Sequence, residues 1–99
     1  MSELQKPSIG RVVHYVYAAH DLDDKHQHLV GESRAAVIVR DFSQGHPSQP
    51  DPTYPCYNLH VFTDFANDGE RHASGSYWAT SRHLSAEPTA GKFNWPPRV

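Results

Sequence analysis

Short runs of β-branched and aromatic residues recur along the chain, separated by longer polar stretches. The third run alternates strictly: Tyr57, Leu59 and Val61 face one way, and the residues between them face the other. Alternation with a period of two indicates a strand with one buried face. The pattern predicts five short strands, at residues 9–17, 35–42, 57–63, 77–81 and 93–95.

The connections between these runs are long and polar. Residues 18–34 contain an acidic stretch that fits either a loop or a short helix over 22–29, capped by Asp21 and ended by Gly31. Residues 43–56 hold four of the eight prolines. That density excludes a helix or an interior strand and predicts a long loop, of the kind that often binds ligands.

These elements predict a single, mainly β domain over residues 9–99, preceded by a flexible tail at 1–8. Five short strands in about 90 residues are typical of a small five-stranded antiparallel β-barrel or rolled sheet of SH3-like size, with long loops and at most one short helix. An open sheet would expose aromatic-rich edge strands. We therefore expect either closure into a barrel or assembly into a homo-oligomer.

Composition narrows the class of protein. The chain has 99 residues, a single cysteine (Cys56), 9 basic and 11 acidic residues, and a formal net charge of -2. One cysteine excludes an internal disulfide framework, and the near-neutral charge argues against binding to a nucleic-acid polymer. No apolar run approaches a membrane span, and the first residues lack a secretion signal. We therefore expect a cytoplasmic protein with no membrane partner.

Eight histidines are more than a chain of this size usually carries, and they raise the question of a metal site. Residues 20–28 combine three histidines with three aspartates, but their spacing matches no closed zinc pattern. We interpret this segment as a solvated acidic loop and predict no bound metal. His14 and His60 lie in the middle of strands. Each is either a partly buried residue bonded to the backbone or a pocket residue that donates to an anionic ligand.

Arginine and aromatic side chains on the predicted strands form a second candidate group. Arg11 and Arg40 could hold phosphate groups, and Tyr15 or Trp78 could stack on a base. The alternative is structural: Arg40 pairs with an acid such as Asp41 or Asp64, and the rings fill the core. We expect Asp64 to be an acceptor at the rim of the core. The sequence has no nucleophile elbow, P-loop or dinucleotide motif, so we predict no catalytic residue and no cofactor.

The strands carry an ordered set of motifs: IGRVVHYV (9–16), AAVIVRDF (35–42), NLHVFTDFANDG (58–69), YWATS (77–81) and GKFNWPP (91–97). Together these motifs resemble a family of small phage- and prophage-encoded proteins, over most of the chain. The positions that match the family pattern are Gly10, His14, Tyr15, Arg40, Phe62, Asp64, Asn67, Trp78, Ser81 and Trp95, whereas Phe42 and Phe65 depart from it. The resemblance brings no established catalytic residues. It implies an accessory protein that acts in the host cytoplasm.

We therefore expect a non-catalytic phage accessory protein that binds and sequesters a small anionic nucleotide signal, and so counters bacterial immune signalling. The ligand would be of the cyclic nucleotide or cyclic ADP-ribose type, held at the interfaces of a homo-oligomer. Two alternatives stay open: a virion or host-protein interaction module, and a small hydrolase that depends on a metal or on histidine. The predicted ligand-binding residues are Arg11, His14, Tyr15, Arg40, His60, Asp64 and Trp78.

Overall fold

The computed structural model describes residues 7–42, 45–46, 49–50, 56–64 and 67–96. Its strands are β1 (Val12–Val16), β2 (Ser33–Asp41), β3 (Gly45–His46), β4 (Gln49–Pro50), β5 (Tyr57–Phe62), β6 (Ser76–Arg82) and β7 (Phe93–Asn94). Three short 3-10 helices lie between them, at Ala19–Asp21, Asp24–Leu29 and Glu70–His72. No helix in these described ranges is long and apolar enough to cross a membrane.

Five of the strands form one antiparallel sheet in the order β6-β5-β2-β1-β7, which confirms the predicted mainly β, five-stranded fold. β3 and β4 form a separate pair. Just beyond β6, Leu84 makes a single parallel bridge to Phe93 of β7. The two edges of the sheet therefore touch at one point without pairing along their length. Of the two predicted forms, the rolled sheet is correct and the closed barrel is not.

The buried face of the sheet follows the alternation of the sequence. In β5, Tyr57, Leu59 and Val61 are at most 3% exposed, whereas Phe62 is 49% exposed. Removing apolar area from water stabilises by about 25 cal/mol per Å², so this face drives the strands together. One bulge between β2 and β5 and another between β5 and β6 bend the sheet around the core. The core consists of Val13, Tyr15, Tyr17, Leu22, Leu29, Ala36, Ile38, Tyr57, Leu59, Val61, Ala79 and Phe93.

The polar segment after β1 contains a short helix within the range 22–29, as one interpretation of the sequence has it, but of the 3-10 type. It forms two short 3-10 helices, and His26 interrupts the second with a φ of -119°. Asp23 caps that helix by accepting a hydrogen bond from the Lys25 N–H. The predicted cap, Asp21, is wrong, because its carboxylate is fully buried and binds tyrosine hydroxyls instead. Gly31 follows the helix in the left-handed region, with a φ of +94° that favours glycine.

Two predicted segments lie partly outside the described residues. Within the predicted tail, Pro7 is buried and the carbonyl of Ser8 accepts a hydrogen bond from the Arg11 N–H, so these two residues belong to the fold. Residues 1–6 lie outside the described part of the chain. Within the predicted loop 43–56, only the backbone of β3 and β4 and the buried Cys56 are described.

Candidate functional site

The outer face of the sheet is turned away from the core, and a row of side chains crosses its centre on four strands. The register pairs Val12 with Val37, Val37 with His60, and His60 with Trp78. Residues paired in this way lie side by side on one face of a sheet. Trp78 is 55% exposed and Val12 is 53% exposed. The row therefore begins and ends with large apolar side chains that are open to solvent.

Basic and aromatic side chains flank this row. His14 lies two residues along β1 from the first member of the row and shares its face, because side chains alternate along a strand. Arg40 pairs with Asn58 of β5, on the same side as His60. The ring of Phe62 meets that of His60 edge to face, with centroids 5.0 Å apart. We call this surface the outer face and define it by seven residues: Val12, His14, Val37, Arg40, His60, Phe62 and Trp78.

The structure brings together four of the seven predicted ligand residues on the outer face: His14, Arg40, His60 and Trp78. Tyr15 points the other way. It is 0% exposed and its hydroxyl donates to Asp21 at 2.6 Å, so its ring is not open to stack on a base. Arg11 lies just before β1, with its guanidinium carbon 5.1 Å from the centroid of the Trp95 ring. Neither Tyr15 nor Arg11 belongs to the outer face.

Asp64 is not an acceptor at the rim of the core. It is exposed, and its carboxylate accepts a hydrogen bond from Asn67 Nδ2 at 3.0 Å. The buried acceptor is Asp68, which is 1% exposed and accepts from the Asp64 N–H at 2.8 Å. The predicted turn therefore forms, but it turns the carboxylate of Asp68 inward in place of that of Asp64.

Beneath the sheet lies a group of polar side chains that we call the carboxylate network: Tyr15, Tyr17, Asp21, Arg34, Asp68, His72, Tyr77 and Arg82. Asp21 is one of its two centres and is 0% exposed. It accepts hydrogen bonds from the hydroxyls of Tyr15 at 2.6 Å and Tyr77 at 2.7 Å, and from the Ala18 N–H at 2.8 Å. Burial and the Asp21 carboxylate together raise the pKa of Tyr77 to about 12 and that of Tyr15 further.

Asp68 is the second centre of the network. Arg34 donates to both of its oxygens, from Nη2 at 2.7 Å and from Nε at 2.9 Å, and the Tyr17 hydroxyl donates at 2.6 Å. Burial raises the pKa of Asp68, but the hydrogen bonds from Arg34 and Tyr17 outweigh it and hold that pKa well below its usual range. Burial and the hydrogen bond to Asp68 raise the pKa of Tyr17, and the contact with Asp68 keeps Arg34 charged.

His72 connects the two halves of the network. Its ring stacks on Tyr17 with centroids 5.4 Å apart and meets Tyr77 edge to face at 4.6 Å. Its Nε2 donates to the backbone carbonyl of Asp21 at 2.8 Å. The network thereby ties the connection after β1 and the connection after β5 to the inner side of the sheet. Because its two carboxylates are buried and saturated with donors, we interpret it as structural.

The sequence did not reveal this network. The sequence predicts only the strand residues His14 and His60 as candidate histidines, and His72 lies in a predicted connection. One signal is present in the sequence: Tyr15 and Tyr17 share one face of the first predicted strand, and a tyrosine hydroxyl that becomes buried needs a partner. The pattern could not identify that partner, because the acceptor of Tyr17 lies 51 residues away.

An open cleft lies between the second 3-10 helix and the turn at Gly69. His26 Nδ1 donates to Asp23 Oδ1 at 2.5 Å, and this hydrogen bond lowers the pKa of Asp23. Gly69 approaches the pair so closely that a Cβ there would lie 2.7 Å from Asp23 Oδ2. An imidazole oriented by a carboxylate is suited to act as a base. The residues that line the described cleft offer no hydroxyl or thiol for it to activate.

Across the part of the chain that the structure describes, no group of three or more histidine, cysteine, aspartate or glutamate side chains converges in a way that could hold a metal ion. Comparisons with protein-family models, with curated proteins and with solved structures find no match to this chain. The resemblance to small phage-encoded proteins therefore stays a prediction. The function has to be inferred from the geometry of the outer face and of the network behind it.

Proposed function

We propose that the protein is a binding protein without catalytic activity, and that its outer face holds a small anionic nucleotide. The observation that carries this proposal is the cross-strand pair of His60 and Trp78, with Trp78 55% exposed on a face that also carries His14 and Arg40. Exposed aromatic rings on a β-sheet are suited to stacking on bases, which is how several sheet-based nucleotide binders work.

Each side chain would contribute a different interaction. The indole of Trp78 would stack on the base, and the imidazole of His60 beside it would donate a hydrogen bond. Arg40 would attract the phosphate group. Its guanidinium carbon lies 5.0 Å from the Phe42 ring, and that ring limits the directions in which the side chain can point. A net charge of -2 favours a small anion over a polymer with many phosphates.

Sequestration of a signalling nucleotide is the role that the predicted phage origin suggests for such a binder. Binding without turnover would lower the free concentration of the signal, and the ligand would leave the protein unchanged. The inner side of the sheet supports this choice of face. Its aspartates and tyrosine hydroxyls are engaged in the carboxylate network, whereas the rings and donors of the outer face are directed to solvent.

The direct test is calorimetry against a panel of cyclic dinucleotides and cyclic ADP-ribose isomers. Stacking of one base is worth about 1–3 kcal/mol, so Trp78→Ala should weaken binding roughly 5- to 150-fold, and Trp78→Phe should retain most of it. Val30→Ala is the matched control, because Val30 is 40% exposed but lies in a connection away from the outer face.

Two results would contradict the proposal. One is the absence of heat across the whole panel, and the other is an affinity that Trp78→Ala leaves unchanged. Chromatography of the ligand released by denaturing the complex tests whether the protein binds the nucleotide without cleaving it. Intact ligand supports sequestration, whereas a cleaved product would replace it with the hydrolase alternative.

A further inference from the structure

The outer edge of β6 carries backbone N–H and C=O groups that have no partner in the described part of the chain. The backbone pattern of the sheet shows which groups these are. Ile38 N–H donates to the carbonyl of Arg11, and Thr63 N–H donates to that of Gly75. Backbone groups alternate in direction along a strand. In β6, residues 77 and 79 therefore bond to β5, and the N–H and C=O groups of Trp78 and Thr80 point away from the sheet.

The outward backbone groups of Ser76, the position before Trp78 on this edge, are already capped. Ser74 Oγ donates to the carbonyl of Ser76 at 3.2 Å and accepts from its N–H at 3.4 Å. At the other end, the Ser81 N–H points back to β5 and donates to Asn58 Oδ1 at 2.9 Å, so the Thr80 carbonyl of the same peptide bond points outward. Within the described part of the chain, the unpaired stretch of this edge is thus a short window formed by Trp78 and Thr80. Both residues are exposed to solvent.

This window lacks the devices that usually keep a strand edge from pairing. Natural edge strands carry lysine or other charges, proline, or a bulge within the exposed part. Residues 76–81 read SYWATS and contain neither a charge nor a proline. The bulge with β5 and the left-handed Ser81, with a φ of +56°, come only at the end of the window. The roll of the sheet does not cover the window either, because the bridge to β7 begins at Leu84.

We propose that β6 pairs antiparallel with β6 of a second copy of this chain, in the register that places Trp78 opposite Thr80 of the partner subunit. A two-fold axis then passes beside Ala79. Every outward N–H and C=O of both residues finds a partner in this register. Residues 76–81 carry no charge, and in this register Arg82 of one copy lies opposite the neutral position 76 of the other, so the symmetric pairing brings no like charges together. A self-complementary window favours a second copy over an unrelated peptide.

The pairing also has a consequence for the outer face. Trp78 and the partner's Trp78 become diagonal neighbours on one continuous face, at about 7–8 Å, within reach of each other's rings. The inference concerns the edge of the sheet, and it stands whether or not the outer face binds a nucleotide.

The oligomeric state of the whole chain tests this proposal without any ligand. Sedimentation equilibrium from micromolar to submillimolar concentration should show a monomer–dimer equilibrium. Thr80→Pro should shift the protein to monomer, because proline removes the outward N–H but is tolerated at an edge position whose N–H faces solvent. Thr80→Val is the matched control: it keeps the N–H and the branched side chain, and it should dimerise like the original protein.

Amide hydrogen exchange provides a readout that needs no variant. In the dimer, the N–H groups of Trp78 and Thr80 are bonded, so their exchange should slow as protein concentration rises, while that of exposed turns stays constant. A monomer at all concentrations would overturn the proposal. So would a Thr80→Pro protein that still dimerises, or edge amides whose exchange does not depend on concentration.

Discussion

Replacing Asp68 by asparagine tests whether the carboxylate network holds the fold together. The substitution keeps the shape of the side chain but removes its charge and one of its acceptor oxygens. In the structure, Arg34 donates to both carboxylate oxygens, at 2.7 and 2.9 Å, and Tyr17 and the Asp64 N–H donate at 2.6 and 2.8 Å. An amide accepts at one end only, so its NH₂ group would face either the guanidinium or the hydroxyl.

The expected cost follows from what is left behind. Removing one partner of a buried ion pair typically costs about 3–5 kcal/mol, because the other charge stays buried without compensation. The Arg34 side chain is 16% exposed and regains some hydration, so we expect the lower end, about 3 kcal/mol. For a domain of this size, each kcal/mol lowers Tm by about 4–8 °C, so the loss should exceed about 10 °C.

Urea denaturation at neutral pH measures this cost. Asp24→Asn is the matched control: it removes a charge from an exposed aspartate and should change the free energy of unfolding by less than about 0.5 kcal/mol. A second variant, Arg34→Met, removes the other charge of the pair. The double variant should lose less stability than the two single variants together, because neither charge then stays buried alone.

The pH dependence gives a second check with a definite sign. The folded-state pKa of Asp68 lies below its unfolded value, since the donors of Arg34 and Tyr17 outweigh burial. Its stabilisation is therefore complete above about pH 4, the ordinary pKa of aspartate, and is lost as pH falls toward the folded value. The gap between the original protein and Asp68→Asn should narrow below that pH. Two results would refute the reasoning. One is a difference in the free energy of unfolding below about 1 kcal/mol at neutral pH, because a buried ion pair should cost more. The other is a difference that does not change with pH.

Two further predictions concern the same side of the molecule. The three network tyrosines have raised pKa values, so their tyrosinate absorbance at pH 11 should stay well below that of free tyrosine. For the same reason, the free energy of unfolding should fall as pH rises above about 10, the ordinary pKa of tyrosine. Full ionisation of these tyrosines near pH 10 in a protein that is still folded would contradict this. Gly69→Ala should lower stability by about 0.5–1.5 kcal/mol more than Gly75→Ala, because both positions have a positive φ but only at Gly69 would a Cβ displace the Asp23 carboxylate and disturb its hydrogen bond with His26. Equal costs of the two variants in thermal denaturation would contradict this.

The strands can be predicted because each has a hydrophobic pattern that is visible within its own residues. The alternation of Tyr57, Leu59 and Val61 with polar residues is visible in the sequence, and all three are buried as predicted. The order of the strands adds information that no local pattern carries. His60 and Trp78 each looked like isolated candidates, and only the register of β5 with β6 makes them neighbours.

The carboxylate network could not be predicted, because it depends on contacts between residues far apart in the sequence. Asp21 and Asp68 lie in polar stretches that resemble exposed connections, and an exposed aspartate is by far the commoner case. They are buried because distant residues supply donors: Tyr77 is 56 residues from Asp21, and Arg34 is 34 residues from Asp68. A buried carboxylate is tolerated only where such partners converge, and that convergence is a property of the fold.

Trp78 takes part in both proposals, and Thr80→Pro separates them. This variant leaves every side chain of the outer face in place and removes only an outward N–H of the edge. If the nucleotide binds to one copy, monomeric Thr80→Pro should retain the original affinity. If it binds between the paired indoles, the affinity should fall together with the dimer. The pairing of β6 between two copies would then explain why the sheet stays open at this edge and why the indole of Trp78 is exposed in one copy.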